Sequence, residues 1–493
     1  MLATDLLGIA EVERVAALGE LDARRQSDLG QFFTPAKAAE LISSLPSLPS
    51  NGTLRVLDPG AGSGILTAAL VNRVLTEQPE LSLEVVAIER DPAVFPHLRA
   101  TLDECERAGA GRVSTTALEA DFILDSTGLD ASLDLEAQFD LVIENPPYGK
   151  LAVSSLHRAA MRSTGFDAPN LYAAFLILST AALRIGGQLV AITPRSFFNG
   201  AYFGDFRSHL LDSIALDRVH VFDSRSTVFS DTGVLQENVI FSGTRGATPG
   251  NVEISVSHDH TTDISSRSVP YESVVFPDDP HRFIRLATNI DDTRIADTVL
   301  SQPCTLNDLG VRVSTGRVVD FRSRHALSEV ELPGSFPLIY PGNLRDGKVV
   351  WPRVIRKPQW FHATSDKDRS MLLPEGWYAV VKRFSAKEER RRIVASAWSP
   401  IDHPGDVAFE NHLNVFHIGG HGMDEELAKG ITIWLNSSII DRFFRTFSGH
   451  TQVNATDLRT LRFPTAETLR NLGHRTAASQ DEIDSLIQEL IAA

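Results

Sequence analysis

At 493 residues and 54.0 kDa the chain exceeds one ordinary domain, and its 43% hydrophobic and 22% charged composition excludes global disorder. Cys105 and Cys304, its two cysteines, exclude a disulfide scaffold, a thiol-redox pair and a zinc-finger ligand set, and suit a reducing compartment. A formal charge of -16 argues against indiscriminate binding to polyanions, yet between Val311 and Pro400 17 Lys and Arg face 9 Asp and Glu, a basic face on an acidic body.

The opening segment sets Leu6, Leu7, Val12, Val15 and Leu18 at helical spacing, which predicts a packing helix rather than a secretory leader. No apolar run of membrane-spanning length follows, so a cytoplasmic protein without membrane contact is expected. From Thr53, the runs LRVLDPG, LEVVAIERD and FDLVIENPPY alternate with helical patterns such as ILTAALVNRVL. That alternation predicts an α/β fold with a doubly wound parallel sheet, on which Leu66, Ala69, Leu70 and Val74 pack as one helix face. NLYAAFLILSTAAL reads as a buried helix stopped by Gly186 and Gly187, with QLVAIT as the next strand. Beyond Gly250 the strands become short and irregular. VFPDDPHRFIRLATNIDDTR reads as a connector, giving two domains, 1–300 and 301–493. The second reads as mixed α+β, with one helical stretch in DEELAKGITIWLNSSIIDRFFRTF and a terminal helix in EIDSLIQELIAA.

Four strand ends carry the chemistry. Asp58-Pro59-Gly60-Ala61-Gly62-Ser63-Gly64 lies between a strand and a helix, where glycines permit a tight turn and close ligand approach. The loop lacks the Lys-Ser/Thr of a phosphate site, and Asp58 repels a pyrophosphate while suiting an ammonium-bearing ligand such as S-adenosylmethionine. A plain strand-to-helix turn is the structural alternative. Glu89 ends the next strand, where this fold holds the hydroxyls of a ribose, although a surface Glu beside Arg90 is equally consistent. Asp121-Phe122 offers a carboxylate for an adenine amino group and a ring for its face. Asn145-Pro146-Pro147-Tyr148 follows a buried strand: the prolines remove donors and stiffen the chain, so the Asn145 amide oxygen and the Pro146 carbonyl form two fixed acceptors. Their natural target is a planar amino group, a poor nucleophile because its lone pair is delocalised. Acceptors on its hydrogens favour pyramidalisation, with Tyr148 stacked on the base.

With these residues in order, the chain resembles the amino-methylating DNA methyltransferases of bacterial restriction-modification systems, in the gamma order of motifs. Gly30-Gln31-Phe32-Phe33-Thr34-Pro35 takes the place of that family's leading Phe-Thr-Pro motif. The resemblance implies a Rossmann-like domain dependent on S-adenosylmethionine, followed by a target-recognition domain that binds duplex DNA. It gives Phe33, Thr34, Pro35, Asp58, Gly60, Gly62, Glu89, Asp121, Phe122 and Asn145 to the cofactor, and Asn145, Pro146, Pro147 and Tyr148 to catalysis. Phe241 is the expected second aromatic on the extruded base, with Phe197 and Phe198 as rivals and core packing as the alternative for each. Asn170 and Tyr172 resemble a further motif near the target pocket.

The segment Ser448–Leu458 resembles recognition domains of the group, giving His450 and Asn454 to DNA. Arg353, Arg356, Lys357, Lys382, Arg383, Arg390, Arg391 and Arg392 are candidate phosphate contacts, interleaved with Trp351 and Trp360. A solvated helix face is the alternative for AKEERRR. His417 and His421 are spaced i, i+4, but the glycines between them break a helix, and no metal is expected. Cytosine carbon methylation needs a thiolate where this chain has Asn145, and Cys304 lies far past that strand. The motif leans toward adenine N6. Cytosine N4, an RNA amino group, a protein glutamine amide and a non-catalytic DNA-binding component are the alternatives. About thirty residues before the first motif leave no room for a fused nuclease or a type I helical region. A stand-alone type II enzyme with a separate restriction endonuclease is expected.

Overall fold

The computed structural model describes residues 5–21, 33–127, 133, 135, 138–222, 237–257, 264–277, 279–287, 290–385, 389–448, 452–477 and 479–492. It divides into two compact units, Met1–Ile284 and Arg285–Ala493, parting inside the expected connector and earlier than residue 300.

The first unit opens with helices α1 (Leu6–Glu20) and α2 (Ala36–Ser44). Then β1 (Asn51–Pro59), α3 (Ile65–Glu77), β2 (Glu80–Glu89), α4 (Phe95–Gly109), β3 (Val113–Glu119) and β4 (Phe139–Glu144) follow. Next come α5 (Leu156–Ser163), α6 (Leu171–Ala182), β5 (Leu183–Pro194), α7 (Gly204–Ser213), β6 (Ile214–Phe222), β7 (Asn238–Arg245), β8 (Asn251–Ser257) and β9 (Ser265–Pro270). The nine strands form one sheet in the order β3-β2-β1-β4-β5-β7-β6-β8-β9. β3 through β5 are mutually parallel, and β7 runs antiparallel to both β5 and β6. The strand order turns outward on either side of β1 and β4, the switch point at which such sheets bind ligands beyond their carboxyl ends.

Helices cover the central strands, so β4 buries Leu141, Val142, Ile143 and even Glu144. Val56, Leu141 and Ile143 pack with Leu66, Ala69, Leu70 and Val74 of α3 and with Ala38 and Ile42 of α2. Two local expectations need correction. α1 buries Leu6, Leu7, Ala10, Arg14 and Ala17, leaving Val12 and Val15 67% and 55% exposed, because Arg14 and Ala17 share the inner face. α6 ends at Leu183, which is already extended, and Gly186 and Gly187 lie within β5 rather than stopping the helix. A Cβ on Gly187 would sit 2.9 Å from the carbonyl oxygens of Arg184 and Phe139, so the glycine serves close strand contact.

The second unit is mixed α and β. Its six-stranded sheet pairs Arg312–Thr315, Leu413–His417, Tyr378–Lys382 and Ala395–Trp398 antiparallel in that order, with short strands beyond; a four-stranded sheet joins it. The expected single helical stretch is two helices, Glu425–Leu435 and Ser438–Phe447, because the Ser437 hydroxyl accepts from the Ile440 amide and starts the second. A terminal helix spans Gln480–Ala492. Among the described residues no helix is long and apolar enough to cross a membrane.

Candidate active site

A cleft of about 850 Å³, its open mouth included, lies at the carboxyl ends of β1, β2, β3 and β4. Each strand end contributes one wall. After β1, Gly60, Gly62 and Gly64 take φ values of 71°, 57° and 84°, which bend the chain sharply into α3. A Cβ on Gly60 would lie 3.1 Å from the Phe175 ring, so the loop and α6 approach as closely as a glycine allows.

Glu89 closes β2 and knits the cleft together. Its Oε2 accepts from the Gly62 amide at 3.0 Å and its Oε1 from the Asp91 amide at 2.7 Å. Burial pushes its carboxyl up, and those amide hydrogen bonds partly offset the push. Asp121, after β3, meets Arg90 at 3.1 Å and His157 at 2.8 Å. Burial would raise its pKa, but the His157 hydrogen bond, the Leu124 amide and the charges of His157 and Arg90 hold it below the usual carboxylate value. Phe122 lines the cleft beside Phe175, their ring centroids 5.0 Å apart.

At the end of β4, Asn145 and Pro147 face the same cleft. The Asn145 amide nitrogen donates to the Thr34 hydroxyl at 2.9 Å, and the Tyr148 hydroxyl donates to the Asn145 amide oxygen at 3.1 Å. Phe33 and Thr34 also line the cleft. Pro35 instead caps α2, and Gly30, Gln31 and Phe32 lie outside the described residues. Tyr148 meets Tyr172 edge-on at 6.3 Å, and Tyr172 stacks on Phe203 at 5.6 Å. The Asn170 side chain caps α6 by accepting from the Ala173 amide at 3.0 Å. Below, the buried Arg207 guanidinium donates to the carbonyls of Phe197, Gly200 and His281, fixing the loop that carries Phe203.

Two of the expected site residues of this unit stand outside the cleft's lining. Asp58 does not reach the cleft: its carboxylate is buried, accepts from the Thr67 hydroxyl at 2.7 Å, and is pushed up to about 7 by that burial. Glu144, equally buried, is driven well above its usual value for the same reason, and nearby Asp58 adds to the push. Phe241 lies in the middle of β7, 1% exposed, with its ring 5.8 Å from Phe197, and does not line the cleft. Phe197 and Phe198 are equally buried. His157, which also lines it, carries no motif signal in the sequence, and Arg90 and Phe175 line it from segments noted for Glu89 and for Asn170 and Tyr172.

The basic residues of the second unit divide. Arg356 and Arg390 are exposed and Arg353 is half-buried. Lys357 pairs with Asp320 at 2.5 Å and Lys382 with Glu389 at 2.7 Å, while Arg383 donates to Gln452 and the Asn411 carbonyl, both at 3.3 Å. Arg391 is mostly buried, bonding Gln480 and the Ser437 carbonyl. Arg392 is wholly buried: it donates to the Ser448 carbonyl and hydroxyl and lies over the Phe444 ring, which removes it from the candidate phosphate contacts. Trp351, 7% exposed, packs edge-on against Trp360 at 4.6 Å. Asn454 closes a capping box with Asp457, and His450 lies outside the described residues. His417 and His421 flank a tight turn, and Cys304 pairs by backbone with Phe463.

Comparison with known proteins gives this arrangement its family. Residues 100–229 match the Eco57I restriction-modification methylase family. The type II methyltransferase M.PstI of Providencia stuartii is 39% identical over 485 residues, covering 97% of this chain and 95% of that protein. The chain belongs to the type II DNA methyltransferases of restriction-modification systems. The type II methyltransferase M.BsuBI of Bacillus subtilis is likewise 39% identical, over 488 residues and 95% of each chain. In fold, the chain is similar to the type IIL restriction-modification enzyme MmeI, whose structure was solved in complex with DNA, at a TM-score of 0.57 and 11% identity over 98% of this chain and 79% of that one. The family's methyl donor is S-adenosylmethionine, and the cleft's chemistry suits it. Carboxylates stand at two separate strand ends, and Phe122 and Ile88 form apolar surface between them.

Proposed function

We propose that this type II methyltransferase is a site-specific adenine-N6 enzyme acting on duplex DNA. The observation that carries the reading is that Asn145 and Pro147 open onto the same cleft as Glu89 and Asp121, so an amino-group acceptor and a cofactor site share one cavity. In this reading Gly60 and Gly62 border the cofactor, with Phe33 and Thr34 toward its methionine end. Glu89 takes the ribose hydroxyls, since each of its oxygens retains a second lone pair beyond the Gly62 and Asp91 amides. Asp121 and Phe122 face the adenine. Asp58 acts from beneath, through Thr67 and the loop it starts.

Held in this cleft, S-adenosylmethionine would supply an electrophilic methyl group on a sulfonium, with a neutral thioether as the leaving group. The chain's own task is to make the amino nitrogen a nucleophile. Asn145 and the Pro146 carbonyl accept its two hydrogens, and the Tyr148 hydroxyl now on the Asn145 oxygen yields that place to the substrate. As the nitrogen–carbon bond forms the amino nitrogen becomes cationic, and one of its protons, hydrogen-bonded to these acceptors but not transferred to them, passes to water. The adenine reaches the turn by leaving the stack, which costs a few kcal/mol and is offset by roughly 1 to 3 kcal/mol from stacking on Tyr148. The second unit binds the duplex, with Arg356 and Arg390 as exposed phosphate contacts. A restriction endonuclease on a separate chain is the proposed counterpart, and the cytoplasm the proposed site of action.

Nucleoside mass spectrometry on DNA and RNA from a methylation-deficient host tests this, comparing the natural chain with Asn145→Ala. N6-methyladenine in DNA from the natural chain alone is expected. N4-methylcytosine would replace the base, and no new mark in DNA would overturn the reading.

A further inference from the structure

His157 sits near the start of α5, which follows the Asn145–Tyr148 turn after the connecting residues 149–155. That connection is laced to the start of α6: the Leu171 amide donates to the Gly149 carbonyl at 2.8 Å. α5 itself is staked to Asp167, which Arg158 and Arg162 meet at 2.5 and 3.0 Å. From this anchored helix His157 forms part of the cleft wall and places Nε2 2.8 Å from the Asp121 carboxylate at the end of β3. One hydrogen bond therefore spans the cleft from the catalytic-turn side to the opposite strand end.

Asp121 is already heavily committed. One oxygen accepts from the Ile123 and Leu124 amides at 3.1 and 3.0 Å, and the other takes Arg90 at 3.1 Å together with His157. A carboxylate oxygen offers about two acceptor directions, so a further donor has to take the place of Arg90, whose side chain is 39% exposed, and leaves the His157 hydrogen bond standing.

We propose that His157 is a positioning residue that latches α5 across the adenosine end of the cofactor cleft. The latch opens for the cofactor to enter or leave, and recloses to retain it. This rests on the reading that the adenosine end lies at Asp121.

The test is surface plasmon resonance of S-adenosylhomocysteine on the full-length protein, with His157→Ala, His157→Gln and Asp121→Ala as variants. A hydrogen bond to a charged group is worth enough to change an equilibrium about tenfold. His157→Ala is expected to speed dissociation about tenfold, while His157→Gln, whose amide can donate to Asp121, restores it to within about threefold. Melting curves verify that each variant is folded, and the Gln variant keeps the test valid if the Ala variant is not. Weaker binding by Asp121→Ala with unchanged dissociation for both His157 variants overturns the latch alone. Unchanged binding by Asp121→Ala overturns the placement of the adenosine end, and the latch with it.

Discussion

Carboxylates in the first unit and guanidinium groups in the second solve opposite problems. Glu89 and Asp121 sit just past strand ends, where loop amides satisfy them while a cleft remains in front. A strand end fixes both the position and the direction of such a side chain. The arginines of the second unit have long, flexible stems and no such frame. Arg392 runs inward to Ser448 and Phe444, whereas Arg356, in the same basic region, ends in solvent. A residue's place in the topology therefore says more about its task than its charge does.

Four substitutions sharpen or break that contrast. Asn145→Ala should lower the single-turnover rate of methyl transfer by about 10²- to 10³-fold, the usual consequence of deleting one fixed polar group at a reacting centre. Calorimetry should find S-adenosylhomocysteine affinity changed less than about threefold; a parallel loss of both would mean the turn supports the whole cleft. Arg392→Ala should cost about 3 kcal/mol in urea denaturation, because it strips donors from a buried site.

Asp58→Asn should change the pH profile of stability. The Asp58 carboxyl, raised from 3.8 to about 7, binds its proton more tightly folded than unfolded. Its contribution is therefore full below pH 4 and lost as pH rises through about 7, with Glu144 acting in the same direction. Melting temperatures between pH 5 and 8.5 should fall less steeply for the Asn variant, and parallel curves would place the titration elsewhere. The smallest effect belongs to Arg356→Ala: DNA binding a few-fold weaker, a salt dependence reduced by about one, and unchanged melting. The contrast fails if Arg356→Ala unfolds the protein while Arg392→Ala only weakens DNA binding.

The central sheet was legible because its strands are apolar runs closed by loop motifs, and Gly60, Glu89, Asp121 and Asn145 each announce a strand end. Periodicity alone misassigned finer features. α1 turns Arg14 inward, which no hydrophobic pattern signals, and the glycines at 186 and 187 look like a helix stop although they serve strand contact. Asp58 is marked by its place in the motif, but its carboxylate accepts from Thr67 of α3, a contact that only the fold supplies. Phe241 shows the ambiguity of a buried ring, which suits a base and a core equally well in sequence. His157 had no neighbours to mark it, because Asp121 lies 36 residues away and meets it only through the fold.

The place of β7 also bears on how the chain is made. β7 lies between β5 and β6 yet is synthesised after both, so the outer edge of β5 stays unpaired from Pro194 until Arg245 has emerged. At about 5–20 residues per second those fifty or so residues take roughly 3 to 10 s. During that interval β6 is the nearest strand at hand and the wrong neighbour. The order of the sheet thus sets how long the β5 edge waits, during synthesis, for the strand that satisfies it.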